Sequence, residues 1–376
     1  MNSQNAFETD NHEYEVTPLE LFFDLVFVFG ISQLSHHLLA HLSWHSAAET
    51  LVMLLAILTA WSYTSWAATM NHAERPATRM MVLTVMLFGL FMNASITWAF
   101  SESAWPFVFC LLAIQLGRTI WSIVTAADEF YREHFTRVLW WFGATALLWI
   151  AGALVDAHSR LYWWAAAVAI DLVGTWLAHP FPSRRLQSVG QPFDASHMLE
   201  RCRLFLIIAL GETVLTTGTA IAESSMTMMT ALTGAFALVG SIALWALMFL
   251  GQAHELSDSY QKQTDDPLTV SRKTVLTTML LVAGLISIAV ANEMVIAHPH
   301  AEASASLSVL LMGGSLIFLL TEAWYARSVL NLRSNRHWFG CLAMLMVGSV
   351  TLFTPAFVSL MLVCSTLVVI AVLAKR

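Results

Sequence analysis

The chain has 376 residues, of which 57% are hydrophobic and 11% charged, whereas an ordinary globular protein carries roughly 25% charged residues. So few charges cannot cover the surface of a soluble domain, and a mean hydropathy of +0.66 points to a lipid setting. The net charge of −7 offers no basic face for a nucleic acid, and the four cysteines (Cys110, Cys202, Cys341, Cys364) stand singly, with no CxxC pair for a disulfide framework or a zinc site.

Residues 1–17 begin polar and acidic, with Glu8, Asp10, Glu13 and Glu15 and no Lys or Arg. A cleaved signal peptide needs a basic start, so this stretch reads as a cytoplasmic tail and the chain is expected to insert through its own first helix. Crossing a bilayer takes about 20 mostly apolar residues. Such runs occur at 18–41, 47–70, 80–101, 105–126, 138–156, 160–178, 198–222, 229–251, 274–296, 304–324, 337–353 and 356–374. The expected fold is an all-α polytopic membrane protein of about twelve transmembrane helices. The last two spans must meet in a tight hairpin at Thr354-Pro355, and a ten-helix count is the alternative.

An ionisable side chain at the bilayer centre costs roughly 2.5–3.5 kcal/mol on insertion scales, so each one needs a partner or a task. In the first span, Thr17-Pro18-Leu19-Glu20 matches a capping box with proline at the first helical position, which accounts for Glu20. It does not account for Asp24, one turn deeper on the same face. His36, His37, His41 and His45 cluster at the outer end of this helix, with Glu49 as the acid at ligand spacing. They fit interfacial histidines better than a metal site or a pH sensor. Arg118 falls mid-way along the fourth span and Asp171 mid-way along the sixth. Gly89 in the third span and Gly313-Gly314 in the tenth mark close helix packing.

The seventh span opens as His197-Met198-Leu199-Glu200-Arg201-Cys202-Arg203 and then runs apolar to Gly211-Glu212. Glu212 lies near the bilayer centre, and Arg201 shares its helix face about three turns away, too far to pair. Glu200 and Arg201 are expected to form an interfacial ion pair. A buried Arg118 demands an acid, because guanidinium does not lose its proton. Asp24, Asp171 and Glu212 are the acids these spans place deepest, so Arg118 is expected within direct or one-water reach of one of them. With a cavity between the halves, Arg118 becomes an anion anchor.

The basic residues divide sharply. Arg75, Arg79, Arg132, Arg137, Arg184, Arg185, Arg201, Arg203, Lys262, Arg272, Lys273, Arg327, Arg333, Arg336, Lys375 and Arg376 fall on one side of the twelve-helix layout, and the other side receives Arg160. By the positive-inside rule this puts both termini in the cytoplasm. An internal repeat is also visible. Val82-Leu83-Thr84-Val85-Met86-Leu87 returns as Val275-Leu276-Thr277-Thr278-Met279-Leu280, Trp141-Phe142-Gly143 returns as Trp338-Phe339-Gly340, and His72-Ala73-Glu74 is echoed by His254-Glu255. Each match pairs helix n with helix n+6, which predicts two parallel six-helix repeats, residues 18–178 and 198–376, joined by a cytoplasmic linker at 179–197.

The stretch from Val16 to Val28, Val-Thr-Pro-Leu-Glu-Leu-Phe-Phe-Asp-Leu-Val-Phe-Val, resembles the opening signature of the bacterial low temperature requirement A family. A second hallmark, His-x-x-Glu-Arg leading to a Gly-Glu pair, is present as His197, Glu200, Arg201, Gly211 and Glu212. The resemblance covers essentially the whole chain and implies that Glu20, Asp24, Glu200, Arg201 and Glu212 are signature positions. It links the chain to growth in the cold and carries over no molecular activity.

No GxxxxGK(S/T), GxGxxG, HExxH or GxSxG motif is present, and the longest cytoplasmic loops, near 179–196 and 252–272, are too short to fold as catalytic domains. No cofactor, metal or nucleic-acid partner is expected. The leading expectation is a secondary transporter or permease of the bacterial inner membrane for a small polar or anionic solute, with Asp24 and Glu212 taking up protons and Arg118 or Asp171 at the solute. The alternatives are an intramembrane enzyme acting on a lipid or isoprenoid, and a non-catalytic scaffold or sensor of membrane state.

Overall fold

A computed structural model describes residues 16–71, 74–101, 103–126, 128–180, 195–250, 266–332 and 335–374. Within them the chain forms twelve long helices and no strand: α1 (Pro18–Ala40), α2 (Trp44–Met70), α3 (Pro76–Ala94), α4 (Trp105–Thr125), α5 (Glu129–Leu154), α6 (Ala157–Trp176), α7 (Ala195–Glu223), α8 (Met228–Phe249), α9 (Pro267–Ala297), α10 (Ala305–Ser328), α11 (Asn335–Thr351) and α12 (Ala356–Ala374). Lipid offers no hydrogen bonds, so each segment satisfies its backbone internally and spans as a helix. The expected hairpin at Thr354-Pro355 separates α11 from α12. The linker expected at 179–197 falls largely outside the described residues, as do His72-Ala73, His254-Glu255, Arg184, Arg185, Lys262, Arg333, Lys375, Arg376 and residues 1–15 of the tail.

Ten of the twelve helices are long and apolar enough to cross a bilayer on composition alone. α6, which carries His158, Arg160 and Asp171, falls short on composition; in α11 the described apolar stretch is Trp338–Thr351. Local signals set most helix starts. Thr17 caps α1 in a capping box with Glu20, and Ser43, Asp128, Asp156, Thr227 and Asp266 cap α2, α5, α6, α8 and α9. The caps at Asp128 and Asp266 explain why α5 and α9 begin seven to nine residues before their apolar runs: a capped, polar first turn extends beyond the hydrocarbon layer. α4 contains one turn of π-helix at Ala113–Gly117, immediately before Arg118.

The side on which α1 begins is called here the near side, and the opposite one the far side. Exposed tryptophans gather at both: Trp121, Trp176, Trp245 and Trp338 near, Trp44, Trp98, Trp105 and Trp163 far. These are the two interfacial aromatic belts of a bilayer-spanning bundle. α2 and α9 form its centre, with 89% and 78% of their apolar stretches buried. In the first half α1 packs on α2 and α3, α3 on α4, α4 on α5, α5 on α6, and α6 returns to α2. In the second half α7 packs on α8 and α9, α9 on α10, α10 on α11, α11 on α12, and α12 returns to α8. α1 and α2 meet α7 and α9 across the junction. Trp141-Phe142-Gly143 and Trp338-Phe339-Gly340 do not occupy like environments, because Phe142 is 1% exposed and Phe339 69%.

Small residues permit the closest crossing. A Cβ on Gly284 or on Gly314 would lie 2.9 Å from the other's carbonyl oxygen, so α9 and α10 touch backbone to backbone. Gly313 meets nothing within 4 Å, so the packing expected of the Gly313-Gly314 pair rests on Gly314. On the far side, Arg160 is buried and binds the carbonyls of Gly152, Ala99 and Val155, tying the α5–α6 turn to the turn before α4.

Candidate functional site: a buried charge cluster between α1 and α7

Glu20 and Asp24 are one turn apart on α1, and His197 and Arg201 are one turn apart on α7, so each helix presents a pair on one face. The two pairs meet. Arg201 donates through Nη1 to Glu20 Oε1 at 2.9 Å and through Nη2 to Asp24 Oδ1 at 2.6 Å. His197 Nε2 lies 3.5 Å from Glu20 Oε2, and its Nδ1 is 3.0 Å from the Thr69 hydroxyl of α2. Trp61 of α2 donates from Nε1 to Asp24 Oδ1 at 2.7 Å, and the backbone N–H and hydroxyl of Thr17 both donate to Glu20 Oε2. The Arg201 guanidinium also sits over the Phe23 ring, 5.5 Å from its centroid. Glu20, Asp24 and Arg201 are each at most 2% exposed and His197 is 6% exposed.

The charge count gives this cluster its chemistry. Two carboxylates face one permanent cation, so the cluster carries one acid more than its arginine can neutralise. Asp24 Oδ2 and Arg201 Nε are buried with no hydrogen-bond partner among the described residues, which leaves the network a free acceptor and a free donor. The cluster is therefore a buried, charge-unbalanced ion-pair network clamped between α1 and α7.

The other expected site residues are placed differently. The Glu200–Arg201 pair does not form: Glu200 faces outward, 3.6 Å from Arg203, while Arg201 turns into the bundle. Glu212 is half-exposed with no ion pair among the described residues, and Gly211 beside it borders open space. Arg118 is buried but has no carboxylate within salt-bridge distance among the described residues. Its guanidinium instead donates to the carbonyls of Ala60 and Gln115 and to the hydroxyls of Thr64 and Thr119, and lies 5.4 and 5.5 Å from the ring centroids of Tyr63 and Phe142. Backbone carbonyls, hydroxyls and aromatic faces replace the acid, and the Gln115 carbonyl comes from the π turn immediately before Arg118. Asp171 binds the Thr145 hydroxyl at 2.8 Å; its charge reaches Arg118 without contact.

Of the outer histidines, His37 and His45 hold the two oxygens of Glu49 at 3.1 and 3.3 Å, and His45 stacks on His158. No metal-holding group of three His, Cys, Asp or Glu side chains occurs among the described residues. The insertion-cost criterion applied to the sequence also missed Glu322 of α10, which borders a hollow of about 70 Å³ with Thr274, Thr277, Thr278 and Tyr325. It lies two residues inside the expected span end, where an acid reads as interfacial.

Twelve helices, two aromatic belts and an ion pair sealed in the apolar core define a multi-pass α-helical membrane protein. Four of the signature residues, Glu20, Asp24, His197 and Arg201, build the cluster, and Glu200, Gly211 and Glu212 lie outside it. The chain belongs to the bacterial low temperature requirement A (LtrA) family, whose profile matches residues 15–372. It is also similar to an uncharacterized protein of Rhizobium meliloti (strain 1021), 28% identical over 328 residues, which are 85% of this chain and 79% of that one. No solved structure matches it.

Proposed function

We propose that the protein is a proton-coupled secondary transporter of the bacterial inner membrane for a small polar or anionic solute, built from two parallel six-helix halves. The observation that carries this reading is the Glu20–Asp24–Arg201–His197 cluster, a charge-unbalanced contact joining the opening helices of the two halves. The repeated order of helix neighbours supports the two-half architecture, since transporters made of parallel repeats place their sites at the repeat junction. Uptake of one proton balances the cluster, and its release leaves an unneutralised carboxylate in the core, which loosens the α1–α7 contact and lets one half rock against the other. The near side is cytoplasmic in this reading: it collects the exposed Arg75, Arg79, Arg132 and Arg327, whereas Arg160 on the far side is consumed in a buried knot. An enzyme acting on lipid needs a lipid-facing opening beside the acids, and neither Glu20 nor Asp24 borders one of the larger hollows.

The test is uptake by proteoliposomes across a metabolite panel, with and without an imposed pH gradient. At least one solute should accumulate faster with the gradient, and Asp24→Asn should remove the gradient's effect while the protein stays folded. No gradient-dependent uptake of any solute by a folded protein would end the proposal.

A further inference from the structure

Away from the charge cluster, a cleft of about 470 Å³ separates α2 and α6 of the first half from α9 of the second. That volume lies within the roughly 300–1,000 Å³ of ordinary ligand pockets. One wall is apolar: Leu172, Val173, Val275, Leu276 and Met279. Val173, Trp176 and Leu177 on its rim are each more than half exposed on the surface that faces lipid, so the cleft opens sideways into the near leaflet. The other wall is polar and cationic. Tyr63, Thr175 and Arg272 border the cleft and also a smaller hollow of about 30 Å³ behind it, which reaches His134 and His179. A space of that size holds a water molecule or an anionic oxygen.

The polar end is held in place at a conformational cost. Ala178 and His179 are consecutive non-glycine residues with φ of 60° and 51°, an arrangement that persists only where the surroundings enforce it. This turn buries the His179 ring against Tyr63, whose hydroxyl it meets at 3.0 Å while the same hydroxyl lies 2.7 Å from Thr175. His134 Nδ1 is buried nearby with no hydrogen-bond partner among the described residues. Arg272 is half-buried, and its hydrogen bond among the described residues is a long one, 3.4 Å to the carbonyl of Trp176. A cation with one long hydrogen bond among the described residues, a hydroxyl pair and a strained histidine thus stand at the near-side end of an apolar slot.

We propose that this cleft binds a single-chain amphiphilic anion from the near leaflet, its phosphate or carboxylate head at Arg272, Tyr63 and Thr175 and its chain along Val173, Val275 and Met279. The site goes beyond the transport reading and does not rest on it: binding is expected whether or not a solute is carried. The test uses the full chain in nanodiscs of zwitterionic lipid with a dodecyl phosphate bearing a terminal photoreactive diazirine. Cross-links should fall on residues 172–177 and 275–279. Dodecyl phosphate should compete for them, dodecanol and inorganic phosphate should not, and Arg272→Gln should weaken labelling about tenfold, the loss expected of a charge-assisted contact. Leu276→Trp, which fills the slot and leaves Arg272 in place, should weaken it as much. Labels spread evenly over lipid-facing helices, equal competition by dodecanol or by inorganic phosphate, or unchanged labelling in Leu276→Trp would each overturn the assignment.

Discussion

Arg118 and Arg201 are both buried arginines, yet removing them should have different consequences. Arg201 is the shared partner of Glu20 and Asp24, so Arg201→Met strands two carboxylates in the core and should cost about 3–5 kcal/mol. Arg118→Met abandons carbonyls, two hydroxyls and two rings, and should cost about 1–3 kcal/mol. Thermal unfolding in one detergent compares the two; an equal or larger loss for Arg118→Met would contradict the assignment of charges. Within the cluster, Asp24→Asn leaves a balanced Glu20–Arg201 pair and should fold with little loss. Glu20→Gln also loses the Thr17 capping box with its ionic partner and should be the less stable of the two. Asp24 was visible from its membrane cost alone, whereas Arg201 read as an interfacial cation. Their partnership was not visible, because the i, i+4 pairs on α1 and α7 are separated by most of the first half of the chain.

At the level of elements, the start of α1 was read from its capping box, the first turns of α5 and α9 lay outside the spans read from hydropathy, and the helix contacts were not readable. A capping box, a proline at the first position and an aspartate cap act within four residues, so α1, α5 and α9 begin where those residues stand. Where glycine is required depends on what crosses it. Gly314→Ala should destabilise the α9–α10 contact, since its Cβ would press on Gly284 oxygen, Ile288 and Ser287, each at 2.9 Å. Gly313→Ala should be neutral or stabilising by up to about 1 kcal/mol, because its Cβ enters open space and alanine is the better helix former. Melting temperatures of the two variants, measured side by side, check the contrast; a reversed order would rule out the close crossing. The π turn at Ala113–Gly117 was likewise invisible, because nothing in Ala113-Ile114-Gln115-Leu116-Gly117 breaks an α-helical pattern.

For the whole molecule, twelve spans and an even topology make a direct prediction. Reporter fusions after residue 45, in the first turn of α2, and after residue 79, in the first turn of α3, should report opposite sides, with the second one cytoplasmic. The same side for both would overturn the layout. Composition, the all-helical architecture with its twelve long helices and the distribution of arginines followed from the sequence alone, because lipid forces every crossing segment to close its own hydrogen bonds within about 20 residues. Which helices touch was decided only in three dimensions. Lipid is as apolar as leucine, so no hydrophobic gain marks the inward face of a membrane helix, and small residues and hydrogen-bonded charges must do so instead. That is why Arg201, which reads in the chain as one of a row of interfacial cations, lies sealed between Glu20 and Asp24, while Arg118, the residue most in need of an acid, is satisfied by carbonyls, hydroxyls and rings.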